Sequence, residues 1–102
     1  MTLSKEQSRL RWREIRDLWN EWDPIGVFPA KGGPLNEYDS YLGPSLRLLE
    51  EDAPLEAIES YLEEIVGTHM GLDTHGINYV RSTKFAAKLS SWFSSRWSGS
   101  HV

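Results

Sequence analysis

Two short motifs lie on either side of a proline- and glycine-rich segment: Trp22-Asp23-Pro24-Ile25-Gly26-Val27, and Asn36-Glu37-Tyr38-Asp39-Ser40-Tyr41. Each motif groups acidic and aromatic side chains around a break in the helical pattern. Pro24 ends the helix predicted before it, because the residue preceding a proline is disfavoured in the helical region. Residues 23–36 contain three prolines and three glycines, which predicts a long loop between the first two helices.

The first helix is predicted over about residues 4–22. Ser4 followed by Gln7 matches a capping box, and Glu6 suits the positive end of a helix. Apolar residues then recur mostly at steps of three and four, which is typical of an amphipathic helix. The predicted buried stripe consists of Leu10, Trp12, Ile15, Leu18, Trp19 and Trp22.

The second helix is predicted from about Tyr38 to Glu51, and it contains the dipeptide Gly43-Pro44. Two interpretations stay open for this dipeptide. Either the helix continues through it with a kink, or residues 38–42 form a separate turn and Pro44 begins the helix proper.

Two further helices are predicted in the second half of the chain. Asp52 is expected to cap the third helix, with Pro54 in its first turn and Gly67 and Gly71 as its exits. The last helix is expected over about 82–97, started by Ser82 or Thr83, after a short extended piece at 77–80. The predicted fold is therefore all-α, a four-helix, bundle-like single domain over 1–102 with a frayed tail at 98–102.

The composition is that of an ordinary globular protein with an unusual aromatic content. The 102 residues are 39 % hydrophobic and 25 % charged, and they include five Trp, four Tyr and three Phe. The sequence lacks cysteine, which excludes disulfides and thiolate zinc sites. No leader-like N-terminus and no apolar run of membrane-spanning length is seen, so a cytoplasmic location without membrane contact is expected.

Charge is strongly segregated along the chain. Residues 1–22 are nearly neutral, with five basic and four acidic side chains. Residues 23–76 carry eleven acids against two basic residues and sum to −9, whereas residues 77–102 carry four basic residues and no acid. The acidic middle could attract a basic partner, or the basic last helix could lie beside the acidic third helix and neutralise it.

The two motifs resemble those of a family of small bacterial helical domains of unassigned function. Its members read approximately W-D-P-[IL]-G, a short loop, then [DN]-E-Y-D-x-Y, and the resemblance covers about residues 20–72. It extends through the helices after the loop to His69-Met70-Gly71-Leu72, and it implies a helical fold without an established activity. Small acidic helical proteins of this kind also resemble, by analogy of role, immunity proteins that neutralise secreted toxins.

The residues around the loop admit a structural and a functional interpretation. Structurally, Asp23 accepts backbone N–H groups of the turn, Glu37 and Asp39 meet the positive end of the next helix, and the two tyrosines pack on one face. Functionally, the same residues dock Lys or Arg from a basic protein such as a toxin or nuclease. The predicted partner-binding residues are Asp23, Glu37, Tyr38, Asp39 and Tyr41, which we call the loop cluster, and Glu50, Glu51 and Asp52, which we call the turn acids.

An alternative from another class is a small metal-dependent or hydrolytic enzyme that uses Asp23, Glu37 and Asp39. Carboxylates can bind Mg²⁺ or Ca²⁺, but their spacing matches no known ligand loop, and Glu37 and Asp39 would diverge on a helix. His69 and His75, with Asp73 between them, lack the i, i+4 spacing of helical zinc ligands, and His101 lies in the tail. The sequence thus predicts no catalytic residues, no metal and no cofactor.

The last helix combines basic and aromatic residues, including Lys84, Lys88 and Arg96 with Trp92 and Trp97. Four positive charges on an acidic protein are too few for a nucleic-acid surface, so no nucleic acid is predicted as a partner. Core packing of the aromatic rings with the charges outward is favoured over a membrane-surface role. A homo-oligomer that buries the surplus tryptophans is a further alternative.

Overall fold

The computed structural model describes residues 3–24, 26–27, 31–72 and 76–97. In these ranges the chain forms four α-helices and one π-helical turn, with no strand, so the all-α prediction is confirmed. The elements are α1 (Lys5–Trp22), α2 (Asp39–Glu50), α3 (Leu55–Glu64), the π-helical turn (Ile65–His69) and α4 (Ile77–Arg96). The predicted frayed tail at 98–102 lies outside the described residues.

The contacts of the chain group into two compact units, Met1–Leu46 and Arg47–Val102. The first unit holds α1, the loop and the beginning of α2, and its buried residues are Ile15, Trp19, Tyr38, Leu42, Ser45 and Leu46. The second unit holds the end of α2 and the remaining helices, with α3 packed against α4. Its largest buried side chains include Leu49, Ile58, Leu62, Ile65, Phe85, Leu89, Phe93 and Trp97.

The predicted capping box at the start of α1 is present. The Ser4 hydroxyl accepts the Gln7 N–H at 3.1 Å, and the Gln7 side-chain oxygen accepts the Ser4 N–H at 3.0 Å. The predicted buried stripe, in contrast, extends too far toward the N-terminus, because Leu10 and Trp12 are each 39 % exposed. Periodicity assigns a side chain to a helix face, but it does not report how far along that face the packing partner reaches.

Helix α2 runs unbroken through Gly43-Pro44, so the alternative in which Pro44 begins the helix is wrong. Pro44 has no N–H to donate to the carbonyl of Ser40, which removes one helical hydrogen bond. Gly43 has no Cβ, so it avoids much of the clash with the proline ring that disfavours helical geometry before proline. The Ser45 hydroxyl adds a local bond by donating to the Tyr41 carbonyl at 2.7 Å.

Asp52 does not cap α3 as predicted; it closes α2. Its φ of 56° is left-handed, and the N–H of Ala53 reaches the carbonyl of Leu48 at 3.0 Å. The Asp52 N–H reaches the carbonyl of Leu49 at 3.1 Å. These two bonds form a Schellman motif, in which the left-handed position is usually glycine. Pro54 takes the N-cap position of α3 and supplies no side-chain hydrogen bond.

The boundaries of the last elements differ from prediction. Gly67 lies inside the π-helical turn and is not an exit, whereas Gly71, with a φ of 67°, follows the turn as predicted. Helix α4 starts at Ile77, so the extended piece predicted at 77–80 is wrong. Ser82 lies on the buried face of α4 and does not cap it. Propensity of β-branched and aromatic residues for strands is weak enough to be overridden by tertiary context.

None of the helices in the described residues combines the length and the apolar character needed to cross a membrane.

We expect Pro44→Ala to stabilise the protein, because alanine restores the N–H donor and removes the ring from the helix interior. Proline in a helix interior costs about 3 kcal/mol in exposed model helices, so a gain of about 1–3 kcal/mol in the free energy of unfolding is expected. Urea denaturation followed by circular dichroism measures this change. A less stable variant would show that packing in α2 requires the proline geometry.

Candidate functional site

The carboxylate of Asp23 joins the end of α1 to the loop and to the start of α2. Asp23 adopts a left-handed conformation, with φ 46° and ψ 59°, and its N–H donates to the Trp19 carbonyl at 2.9 Å. One carboxylate oxygen, Oδ1, accepts the Val27 N–H at 2.9 Å and the Tyr38 hydroxyl at 2.6 Å. The carboxylate therefore fixes the path of the chain as it leaves α1.

Trp19 is the aromatic centre of the first unit and is fully buried. Its ring centroid lies 5.2 Å from that of Trp22, 5.9 Å from that of Tyr38 and 5.5 Å from that of Tyr41, the last pair being stacked. The two tyrosines thus pack on the same indole, in agreement with their three-residue spacing. Tyr38 is only 1 % exposed, which does not suit an anchor displayed to a partner.

Asp39, the first residue of α2, pairs with Arg16 of α1. The Arg16 Nε–H donates to Asp39 Oδ1 at 2.9 Å, and Nη2–H donates to Oδ2, so the pair is bidentate. The hydrogen bond to Asp39 raises the pKa of the Arg16 guanidinium above its ordinary value. A carboxylate here also faces the positive end of the α2 dipole. Sequence reasoning missed this pair, since no pattern links residues 23 apart across a loop.

Glu37 differs from the rest of the loop cluster. It is exposed and precedes the first turn of α2, whereas the other four members take part in contacts within the first unit. The loop is held further by Asn20, whose side-chain NH₂ donates to the Leu35 carbonyl at 3.1 Å. Four members of the loop cluster therefore hold the ends of the loop in place, and Glu37 is its exposed member.

The turn acids lie in the second unit, at the C-terminal end of α2. All three are exposed, with Glu50 the last helical residue and Asp52 in the left-handed position of the Schellman motif. A helix C-terminus carries partial negative charge, so carboxylates there are unfavourable and cations are favourable. Arg47 is the basic residue of this last turn.

A pocket of about 340 Å³ opens beside the turn acids within the second unit. Its apolar lining is Leu49, Ala53, Ile58 and Phe93, and its polar lining is Glu50, Asp52, Ser90 and Ser94. Leu49, Ile58 and Phe93 belong to the buried core, while Glu50 and Asp52 are exposed. Sequence reasoning favoured core packing for the aromatic residues of the last helix but did not connect that helix with the turn acids, because no local spacing relates them.

The described residues contain no group of three His, Cys, Asp or Glu side chains arranged to hold a metal ion. In the proposed carboxylate set, Asp23 accepts hydrogen bonds from Val27 and Tyr38, and Asp39 is paired with Arg16. His69 is exposed at the end of the π-helical turn. The other members of the histidine hypothesis, Asp73, His75 and His101, lie outside the described residues, as does Ile25 of the first motif.

The basic last helix buries its aromatic side chains only in part. Phe93 and Trp97 are buried and Trp92 is half-exposed, while the Arg96 guanidinium lies 5.7 Å from the centroid of the Trp97 ring. Because α3 packs against α4, the acidic third helix and the basic last helix are neighbours in the second unit. The exposed basic residues of α4 are Arg81, Lys84, Lys88 and Arg96.

Comparison with known proteins adds no relative: no protein-family model, no curated protein and no solved structure matches this chain. The assignment of a function therefore rests on geometry and charge, and the family resemblance of the two motifs stays a prediction.

We expect Tyr38→Phe to destabilise the protein, because it removes the hydroxyl donor to Asp23 and leaves a partly buried carboxylate with one partner fewer. A hydrogen bond to a charged group contributes about 1.5–3 kcal/mol, so a loss of that order in the free energy of unfolding is expected. The matched control is Tyr79→Phe at an exposed tyrosine of α4, where a change below about 0.5 kcal/mol is expected. Equal effects at both positions in urea denaturation would contradict a structural role for the Tyr38 hydroxyl.

Proposed function

We propose that this chain is a small cytoplasmic protein-interaction domain that binds a basic protein through the turn acids. Its role would be that of an immunity-type inhibitor of a basic toxin or nuclease, and it would act by binding rather than by catalysis. This role is compatible with the resemblance of the two loop motifs to small bacterial helical domains, because that family has no established activity.

The observation that carries the proposal is the position of Glu50, Glu51 and Asp52. Three consecutive carboxylates stand where the helix dipole disfavours negative charge, and the third has a backbone conformation in which glycine costs least. Natural sequences depart from such local rules mainly where function requires it. A basic partner would give three consecutive carboxylates at this end of the helix a favourable electrostatic contact.

The surrounding charge supports the same conclusion. Residues 47–72 contain seven acidic residues and one Arg, which gives this stretch a net charge of −6 with His neutral. A surface with an excess of exposed carboxylates accelerates association with a basic surface and makes the association rate dependent on salt. Within the loop cluster, Asp23 and Asp39 already hold the loop, so Glu37 is the member that we propose as an additional contact.

The test compares two variants that remove equal charge from different places. Glu50→Gln, Glu51→Gln and Asp52→Asn together neutralise the turn acids, and Glu6→Gln, Asp17→Asn and Glu21→Gln neutralise three exposed acids of α1. Each purified protein is used to capture partners from the native lysate at low and at high salt, and captured proteins are identified by mass spectrometry. We expect a basic protein that the wild type and the α1 variant retain at low salt.

The same protein should be lost, by at least about tenfold in affinity, from the turn-acid variant, because truncation of central contacts dominates binding energy. Retention by both variants would contradict the proposed surface. The inhibitor role is tested by producing the captured protein in cells with and without this chain. Growth arrest that the wild-type chain relieves supports the role, and a captured protein that is harmless alone would contradict it.

A stability measurement distinguishes a functional turn from a structural one. We expect Asp52→Gly to raise the free energy of unfolding by about 0.5–1 kcal/mol, since glycine adopts left-handed φ freely and the change removes a carboxylate from the helix C-terminus. Asp52→Asn is the matched control, because asparagine tolerates the same φ and loses only the charge. A loss of stability in Asp52→Gly would show that the carboxylate serves the fold.

A further inference from the structure

The pocket beside the turn acids combines apolar and acidic residues in its lining. It is lined by the buried residues Leu49, Ile58 and Phe93 and by the exposed acidic residues Glu50 and Asp52. The lining contains no Lys, Arg or His among its described residues. A lining that combines buried apolar residues with exposed acidic residues fits a side chain that has an apolar stem and a positive charge at its end.

We propose that this pocket binds an arginine side chain of the basic partner, which makes it the central contact of the proposed interface. The inference rests on the proposed function, because the arginine is supplied by the partner described there. The volume of about 340 Å³ lies at the lower end of the range for small-ligand pockets, which suits one long side chain rather than a folded element.

Three features favour arginine over lysine. The planar guanidinium can donate to two carboxylates at once, and Glu50 and Asp52 both line the pocket. Its flat face can also stack on an aromatic ring, and Phe93 supplies one in the lining. Ser90 and Ser94 also line the pocket, and a serine hydroxyl oxygen can accept a further N–H group. A lysine ammonium is a compact, strongly hydrated charge that uses neither the flat ring nor the paired acceptors as well.

The wall residues give a way to close the pocket without changing its charge. Ala53 lines it from the turn between α2 and α3, and Ser94 lines it from α4, so Ala53→Leu and Ser94→Leu should each reduce its volume from a different element. Ala57→Leu is the matched control, since Ala57 is half-exposed at the start of α3 and is not among the lining residues. Circular dichroism establishes that each variant is folded before binding is measured.

The experiment titrates the full chain with three pentapeptides that differ only in a central arginine, lysine or citrulline flanked by glycines. Amide shifts in ¹H–¹⁵N NMR spectra report both affinity and location. We expect the arginine peptide to bind at least tenfold more tightly than the citrulline peptide and several-fold more tightly than the lysine peptide. The shifts should fall on Leu49–Ala53 and on Ser90–Ser94, and added salt should weaken the binding.

Both leucine variants of the pocket should lose the arginine preference, and Ala57→Leu should keep it. Equal binding of arginine and citrulline, equal binding of arginine and lysine, or an arginine preference that survives in both pocket variants would overturn the inference. A captured partner that binds the pocket variants normally but not the turn-acid variant would also overturn it while the proposed function stands. If no captured protein depends on the turn acids, yet arginine is still selected, the proposed function fails and the arginine pocket stands.

Discussion

The first unit depends on one carboxylate with a fixed position. Asp23 ends α1 in a left-handed conformation, and its Oδ1 receives both the Val27 N–H and the Tyr38 hydroxyl. Those two donors belong to the two ends of the loop, so the carboxylate brings the two motifs together although eight residues, 28–35, separate them. The indole of Trp19 then provides the surface on which both tyrosines of the second motif pack. Hydrogen bonds to Asp23 and aromatic contacts with Trp19 hold the two ends of the loop, and a Ser- or Gly-rich linker would not form them.

The two groups of acidic residues have opposite relations to the fold. Asp23 and Asp39 accept hydrogen bonds and an ion pair, so their charge contributes to local structure. The turn acids lie at the C-terminal end of α2, where the helix dipole disfavours negative charge. From their charge alone, both groups would be assigned to a single acidic surface. The first group contributes hydrogen bonds and an ion pair to the fold, and the second group forms the surface that we propose for a basic partner.

Sequence reasoning predicted the helical class, the capping box at Ser4 and the approximate extent of α1 and α2, because these depend on local periodicity and on backbone chemistry. It failed at Asp52. An acidic residue two positions before a proline is typical of a helix start, but here the Schellman motif at the end of α2 decides the conformation of Asp52. It also missed the Arg16–Asp39 pair and the pocket, which join residues distant in sequence. Such contacts arise from tertiary packing, and no single-chain pattern of spacing encodes them.

The left-handed conformation of Asp52 also has an evolutionary consequence. Codons for aspartate and glycine differ by a single base, so a residue better suited to that backbone geometry is one point mutation away. Selection for stability alone would favour this change, since proteins readily gain stability at positions where no function opposes it. Under the proposed function, aspartate should persist at position 52 in lineages that bind a partner through the turn acids, and glycine should spread in lineages that do not.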